Sequence, residues 1–179
     1  MKRKALAITL AAAMAMGTCA VTASAADGDK YTIGICQLVQ HEALDAATQG
    51  FKDEVTKELG EDAVTFDEQN AQGDSNTCST IINSFVSNNV DLILANATPA
   101  LQAAAAGTSD IPILGTSVTE YGVALGLDDF DGTVGGNISG TADLAPLDQQ
   151  AAMLNELFPD AKNVGLLYCS ASGKSSLSI

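Results

Sequence analysis

Asp91–Ala100 reads DLILANATPA, and the fold class turns on this stretch. Asp91–Ala95 is a continuous apolar run, the kind of strand that is buried on both faces of a parallel sheet. Two residues later Thr98-Pro99 opens a helix over Ala100–Ala106, with Pro at the first helical position, where its missing N–H costs nothing. A buried strand feeding directly into a helix is half of a βαβ unit.

The flanks repeat that unit. Upstream, Tyr31–Cys36 (YTIGIC) reads as a strand. Glu42–Leu59 reads as a helix with Leu44, Ala47, Phe51, Val55 and Leu59 on one stripe, ended by Gly60. Ala63–Asp67 is a second strand. Asp74 or Ser75 caps the next helix, whose Cys78, Ile81, Ile82, Phe85 and Val86 follow helical spacing. Downstream, Ile111–Gly115 (IPILG) is a fourth strand and Val123–Leu127 is read as a fifth. This alternation predicts an α/β fold: a parallel sheet with right-handed crossovers and helices on both faces.

Beyond Leu127 the character changes. Asp128–Gly140 is rich in Gly and Asp, and a new αβ unit follows: a helix over Pro146–Phe158 and a strand over Asn163–Cys169. A domain boundary is expected near Thr141–Leu144, dividing residues 26–142 from residues 143–179. One helix and one strand cannot close a core. The expectation is therefore one nearly complete lobe and a second lobe only begun.

Composition sets the class. The chain has 179 residues, 46% hydrophobic, with 8 Lys+Arg against 22 Asp+Glu and a net charge of −14. Lys2, Arg3 and Lys4 precede the apolar run Ala5–Met16 and the small-residue stretch Thr22-Ala23-Ser24-Ala25. This describes a secretory signal peptide over residues 1–25, cleaved after Ala25. Losing those 25 residues and three of the 8 basic groups leaves 154 residues, 5 basic and 22 acidic, at a net −17. So acidic a chain excludes nucleic acid and anionic lipid as partners. The apolar leader is too short to span a bilayer, which takes roughly 20 residues. Such hydrophobicity supports a packed core rather than disorder.

An exported product, periplasmic or at the cell surface, is expected. Cys19 offers a lipid-anchor alternative, for which Met16 is tolerable and Thr18 poor. Cys36, Cys78 and Cys169 are odd in number, with no C-x-x-C spacing and no His partner pattern, which argues against a zinc site or a disulfide framework; they read as small buried apolar residues. No metal and no cofactor is expected.

In an open parallel sheet, ligands bind beyond the carboxyl ends of the strands. Those ends carry Gln37 and His41, then Gln69, Asn70 and Gln72, then Asn96 and Thr98, then Thr116, Ser117 and Thr119. Nearly all are neutral hydrogen-bonding groups. Such a set suits the binding of a small polar solute better than proton transfer. The helix beginning at Thr98-Pro99 aims its free N–H groups at the same edge, which favours a carboxylate. Thr98 and Ser117 stand foremost. Polar residues at strand ends are equally ordinary loop and cap residues.

With these residues in view, a family can be named. Tyr31–Asp45 (YTIGICQLVQHEALD), Gln69–Asp74 (QNAQGD), Asp91–Ala100, Asn137–Asp143 (NISGTAD) and Leu154–Tyr168 (LNELFPDAKNVGLLY) resemble the substrate-binding proteins of TrpX-like ABC uptake systems. The resemblance implies a type I periplasmic-binding fold, two Rossmann-like lobes closing on a ligand. It also implies an amino-acid solute, aromatic in the named members, and an ABC permease as partner. By position it implies that Gln37, His41, Asn70, Thr98, Ser117 and Asp143 face the cleft or hinge. Asn96 and Thr116 join them from the strand-end reading. The tail Ser170-Ala171-Ser172-Gly173-Lys174-Ser175 departs from the family pattern, and members continue for roughly another domain.

Rival readings fail on spacing. Gly173-Lys174-Ser175 lacks the phosphate-loop Gly, because Tyr168 occupies its place. Asp128, Asp129 and Asp131 lack the spacing of a calcium loop. His41, the sole His, has no identifiable nucleophile or orienting carboxylate. The favoured function is solute binding for an ABC importer, without enzymatic activity. A small exported flavodoxin-like enzyme and a sensor lobe for a membrane receptor are the alternatives.

Overall fold

A computed structural model describes residues 30–165 of the chain. The expected signal peptide, Cys19, the Ser-rich tail and most of the expected strand Asn163–Cys169 lie outside that range. Residues 163–165 belong to no element.

The strands are β1 (Tyr31–Gln37), β2 (Val64–Asn70), β3 (Leu92–Asn96), β4 (Ile113–Val118) and β5 (Ile138–Ala142). The helices are α1 (Glu42–Leu59), α2 (Ser75–Ser87), α3 (Thr98–Gly107), α4 (Tyr121–Leu125) and α5 (Leu147–Leu157). All strand pairs are parallel, in the order β2-β1-β3-β4-β5. Asp91 pins the start of β3 to β1: its Oδ2 accepts from Thr32 N at 2.7 Å, and its own N–H donates to Thr32 O at 2.8 Å.

Strand alternation sorts the apolar residues onto two faces. Ile33, Ile35 and Leu94 face α1, where Phe51 and Val55 cover them. Cys36, Ile93, Ala95, Ile113 and Val118 face the other layer, against Ile82 and Phe85 of α2, Leu101 and Ala104 of α3 and Tyr121 of α4. The ring of Phe85 lies so close over Gly34 that a Cβ there would sit 2.6 Å from it. Only glycine lets α2 approach β1 this closely.

The helices start where the sequence says they should. The Asp74 side chain caps α2 by accepting from Asn76 N at 2.6 Å and Thr77 N at 3.0 Å. His41 caps α1, its Nδ1 accepting from Ala43 N at 3.2 Å.

Two expectations are corrected. Val123–Leu127 is not a strand. It overlaps α4, which Glu120 caps at Gly122 N, 2.8 Å away, and which Gly126 closes in the left-handed conformation at φ 68°. An apolar run of this length carries no period that separates strand from helix, so its caps decide. The fifth strand is instead Ile138–Ala142, which overlaps the end of the Gly/Asp-rich stretch Asp128–Gly140. It lies at the sheet edge with only Ile138 partly buried, so it needs almost no apolar residues.

Strand ends also shift. β4 starts after Pro112, because the turn at Thr108–Ile111 is closed by Thr108 Oγ1 accepting from Ile111 N at 3.2 Å. β2 runs on to Asn70. Among the described residues, no helix is long and apolar enough to cross a membrane.

Candidate functional site

The register places four polar residues side by side at the carboxyl edge. Asn70 pairs with Gln37, Gln37 with Asn96, and Asn96 with Thr116. Residues in register share a face, and for this row it is the α1 face.

Gln37 and Asn96 are built into the scaffold there. Gln37 is 4% exposed and Asn96 fully buried. Gln37 Nε2 donates to Asp45 Oδ1 at 2.6 Å and to Val39 O at 3.0 Å. Thr48 Oγ1 donates to Gln37 Oε1 at 2.7 Å. Asn96 Nδ2 donates to Leu44 O at 2.8 Å and Thr48 Oγ1 at 2.9 Å. This lattice locks the first turns of α1 onto the ends of β1 and β3. Asn96 Oδ1 is buried without a partner.

A ladder of backbone hydrogen bonds runs along the same edge. Ala71 N donates to Gln37 O at 2.9 Å, Gly73 N to Leu38 O at 2.7 Å and Leu38 N to Asn96 O at 3.2 Å. Ala97 N donates to Thr116 O at 3.0 Å and Asp143 N to Val118 O at 3.1 Å. Every loop leaving a strand at this edge is therefore tied to its neighbour. The edge is a fixed wall.

Three non-glycine residues on the wall have left-handed backbones: Gln72 at φ 55° in the loop after β2, Ala97 and Ser117. Ala97, between β3 and α3, has φ 90° and ψ 157°, a combination in which an L side chain is strained. Ser117 has φ 54°, beside a break in register between Gly115 and Val118. Strain of this kind persists where the surroundings over-determine the backbone and clusters at ligand clamps.

Ala97 also stands at the N-cap of α3, which has no side-chain cap hydrogen bond. The first amides of α3 thus face the edge without a side-chain acceptor. The side chains of Thr98, Thr116 and Ser117, all partly exposed, make no hydrogen bond among the described residues.

The remaining expected site residues are placed as follows. Asn70 Oδ1 accepts from Gln72 N at 2.9 Å, which shapes the loop after β2. His41 is exposed and caps α1, and Asp143 is exposed just after β5. The structure thus gathers Thr98, Thr116 and Ser117 around the ends of β3 and β4, while His41 and Asn70 stand at the β1–β2 side.

Thr116 also lines an open groove of about 340 Å³ between α1 and the sheet, with Phe51, Leu94, Leu114, Ser139 and Thr141. A larger hollow of about 470 Å³ lies along the outer side of α1 and β2, away from the carboxyl-edge row, and is lined mainly by polar and charged side chains such as Gln49, Lys52, Asp53 and Lys57. Among the described residues, no cluster of His, Cys, Asp or Glu could hold a metal.

Two contributors escaped the sequence reading. Thr48 is a polar residue four positions beyond Leu44, on the apolar stripe of α1, and that position was its signal. Tyr121 is buried and its hydroxyl donates to Thr141 O at 3.2 Å, fastening β5 to the sheet. Burial pushes this hydroxyl's pKa up, and the nearby charge of Asp143 adds to the rise. A Cβ at Gly140 would collide with Gly115 O and the Tyr121 hydroxyl, so both glycines make room for this fastening.

Comparison with known proteins agrees with this architecture. A curated tyrosine-binding protein of Clostridioides difficile is 40% identical over 151 residues, spanning 82% of this chain and 43% of its own length. The L-Trp complex of an ABC domain from Streptococcus pneumoniae superposes with a TM-score of 0.73 at 33% identity, over 80% of this chain and 49% of that one. A ligand-free, open substrate-binding protein with adhesive properties from Clostridium difficile gives 0.65 at 41% identity, over 79% and 48%. The chain thus spans about half the length of the relatives it matches, and its fold is that of their periplasmic-binding lobe. The family described as ABC transporter substrate binding protein matches residues 32–179. The chain belongs to the ABC transporter substrate-binding protein family.

Proposed function

We propose that this chain supplies one wall of a solute-binding protein for an ABC importer. The protein is exported, its residues 1–25 serving as a signal peptide, and acts outside the cytoplasm. Residues 26–142 form the first lobe and residues 143–179 begin the second. The solute is an aromatic amino acid, and the partner is a membrane permease. Binding and delivery, with no chemical transformation, are the whole activity.

The observation that carries this reading is the wall at the ends of β3 and β4. Three unengaged hydroxyls, Thr98, Thr116 and Ser117, surround a helix start that lacks a side-chain cap. Peptide N–H groups at a helix start favour a carboxylate, and hydroxyls add hydrogen bonds without a net charge. Gln37 and Asn96 support the wall from behind, so they set its shape. His41, Asn70 and Asp143 contribute from its two flanks. The tyrosine-binding and L-Trp-bound relatives support the aromatic class.

A wall of this kind covers one side of a solute, whereas small-ligand sites normally enclose most of the ligand's surface. Calorimetry with L-tyrosine and L-tryptophan tests this on the 179-residue chain and on a longer product that continues into a second lobe. The longer product is expected to bind at least about 100-fold more tightly, a difference of roughly 2.7 kcal/mol. Equal affinity in the two products would overturn the two-lobe reading. Absence of binding to any amino acid by the longer product would overturn the substrate class.

A further inference from the structure

The loop leaving β1 carries an apolar side chain that the fold keeps in water. Val39 is 36% exposed, and its loop is held from three sides. Gln37 Nε2 donates to Val39 O at 3.0 Å. Leu38 N donates to Asn96 O, and Gly73 N to Leu38 O. A single exposed valine is ordinary on any surface. What stands at the opposite end of the wall gives this one a meaning.

Asp143 stands there, just after β5. Its backbone is fixed by the bond from its N–H to Val118 O at 3.1 Å. Its exposed carboxylate makes no hydrogen bond or ion pair among the described residues. Other carboxylates near the edge are engaged: Asp45 accepts from Gln37, Asp74 caps α2 and Glu120 caps α4.

We propose that the solute lies lengthwise along the wall, its ammonium at Asp143 on the β5 side and its ring over Val39 on the β1 side. This direction rests on the amino-acid reading of the site. An α-amino acid holds three groups on one carbon. The start of α3, between the ends of β3 and β4, takes the carboxylate. The ammonium goes to the free carboxylate of Asp143, because a charge-assisted hydrogen bond outweighs a neutral one. The side chain is left to run the other way, across the ends of β3 and β1.

Length then selects the side chain. β1 and β5 lie three strand spacings apart, about 14 Å. With Asp143 and Val39 reaching in from the two ends, an aromatic side chain closes that span and an alanine methyl does not. The reverse direction is poorer. It puts the ring at Leu144, next to the Asp143 carboxylate, and the ammonium at Glu42. Glu42 lies in the first turn of α1, where the helix N–H groups disfavour a cation.

The test is an NMR titration of the 179-residue chain with L-tyrosine and with desaminotyrosine, which lacks only the ammonium. The ring of either ligand should shift the Val39 methyl signals and leave those of Leu144 in place. Asp143→Asn should weaken L-tyrosine about 3-fold or more and leave desaminotyrosine unchanged. Glu42→Gln removes the same charge and should change neither. Val39→Ala should weaken both ligands alike, by about 3-fold, because both carry the ring. Val39 and Asp143 are exposed, so neither variant opens the core.

Shifts at the Thr98 and Ser117 amides with the Val39 methyls unmoved would overturn the direction and leave the site standing. So would an equal loss of both ligands in Asp143→Asn. Shifted Leu144 methyls together with weakening by Glu42→Gln would overturn it in favour of the reverse direction. No shift anywhere on the wall with L-tyrosine would overturn the site itself, and the direction with it.

Discussion

Thr48 shows how much one hydroxyl can hold. It donates to Gln37 and accepts from Asn96, and both partners are otherwise shut away from water. Thr48→Val keeps the shape but strips both bonds, leaving a buried acceptor and a buried donor short of partners. The expected cost is about 1–3 kcal/mol in denaturant unfolding, because a stranded buried polar group loses more than one hydrogen bond is worth. Tyr121 adds a pH dependence. Its folded pKa lies above the ordinary tyrosine value, so the folded state favours the neutral hydroxyl. That contribution is complete below the ordinary value, about pH 10, and disappears as pH rises through the folded value. Stability of the native chain should therefore fall more steeply above pH 10 than that of Tyr121→Phe. Equilibrium unfolding from pH 8 to 11.5 checks the difference in slope.

At the scale of the element, the turn from β3 to α3 concentrates the cost of the site. Ala97 is strained where glycine would be relaxed. Ala97→Gly should raise stability by about 1 kcal/mol, the strain relief exceeding glycine's greater entropy loss. The same change frees the start of α3, so binding by a longer, two-lobed product should weaken as stability rises. Paired unfolding and calorimetry would reveal that opposition.

This turn also marks what the sequence made legible. DLILA followed by Thr-Pro announced strand and helix directly, and the cap at Asp74 fell where its residue type places it. Ile138–Ala142 escaped because an edge strand flanked by glycines has no apolar alternation to display. α4 escaped because its identity lies in Glu120 and Gly126, outside the apolar run itself.

Across the whole molecule, the division of labour at the carboxyl edge was only half legible. The sequence names every polar residue there, but type alone cannot distinguish a residue that meets solute from one that holds the wall. Gln37 and Ser117 look alike as strand-end polar residues. The first is turned onto α1 and satisfied by Asp45 and Thr48, whereas the second is partly exposed in a left-handed conformation. Register and burial, which depend on long-range pairing, separate them.

The last helix carries a consequence for the chain's cooperativity. Every residue of α5 is exposed, Leu157 at 63% and Met153 at 55%, while α1 to α3 pack on the sheet. Isolated helices shorter than about 12 residues are marginal in water, and α5 has 11. Amide protons of α5 should therefore exchange with deuterium at nearly the rate of an unstructured peptide. Those of β1 and β3 should exchange only through global opening. In this chain the sheet and its last helix would then melt as two events, and a single melting temperature would describe the sheet alone.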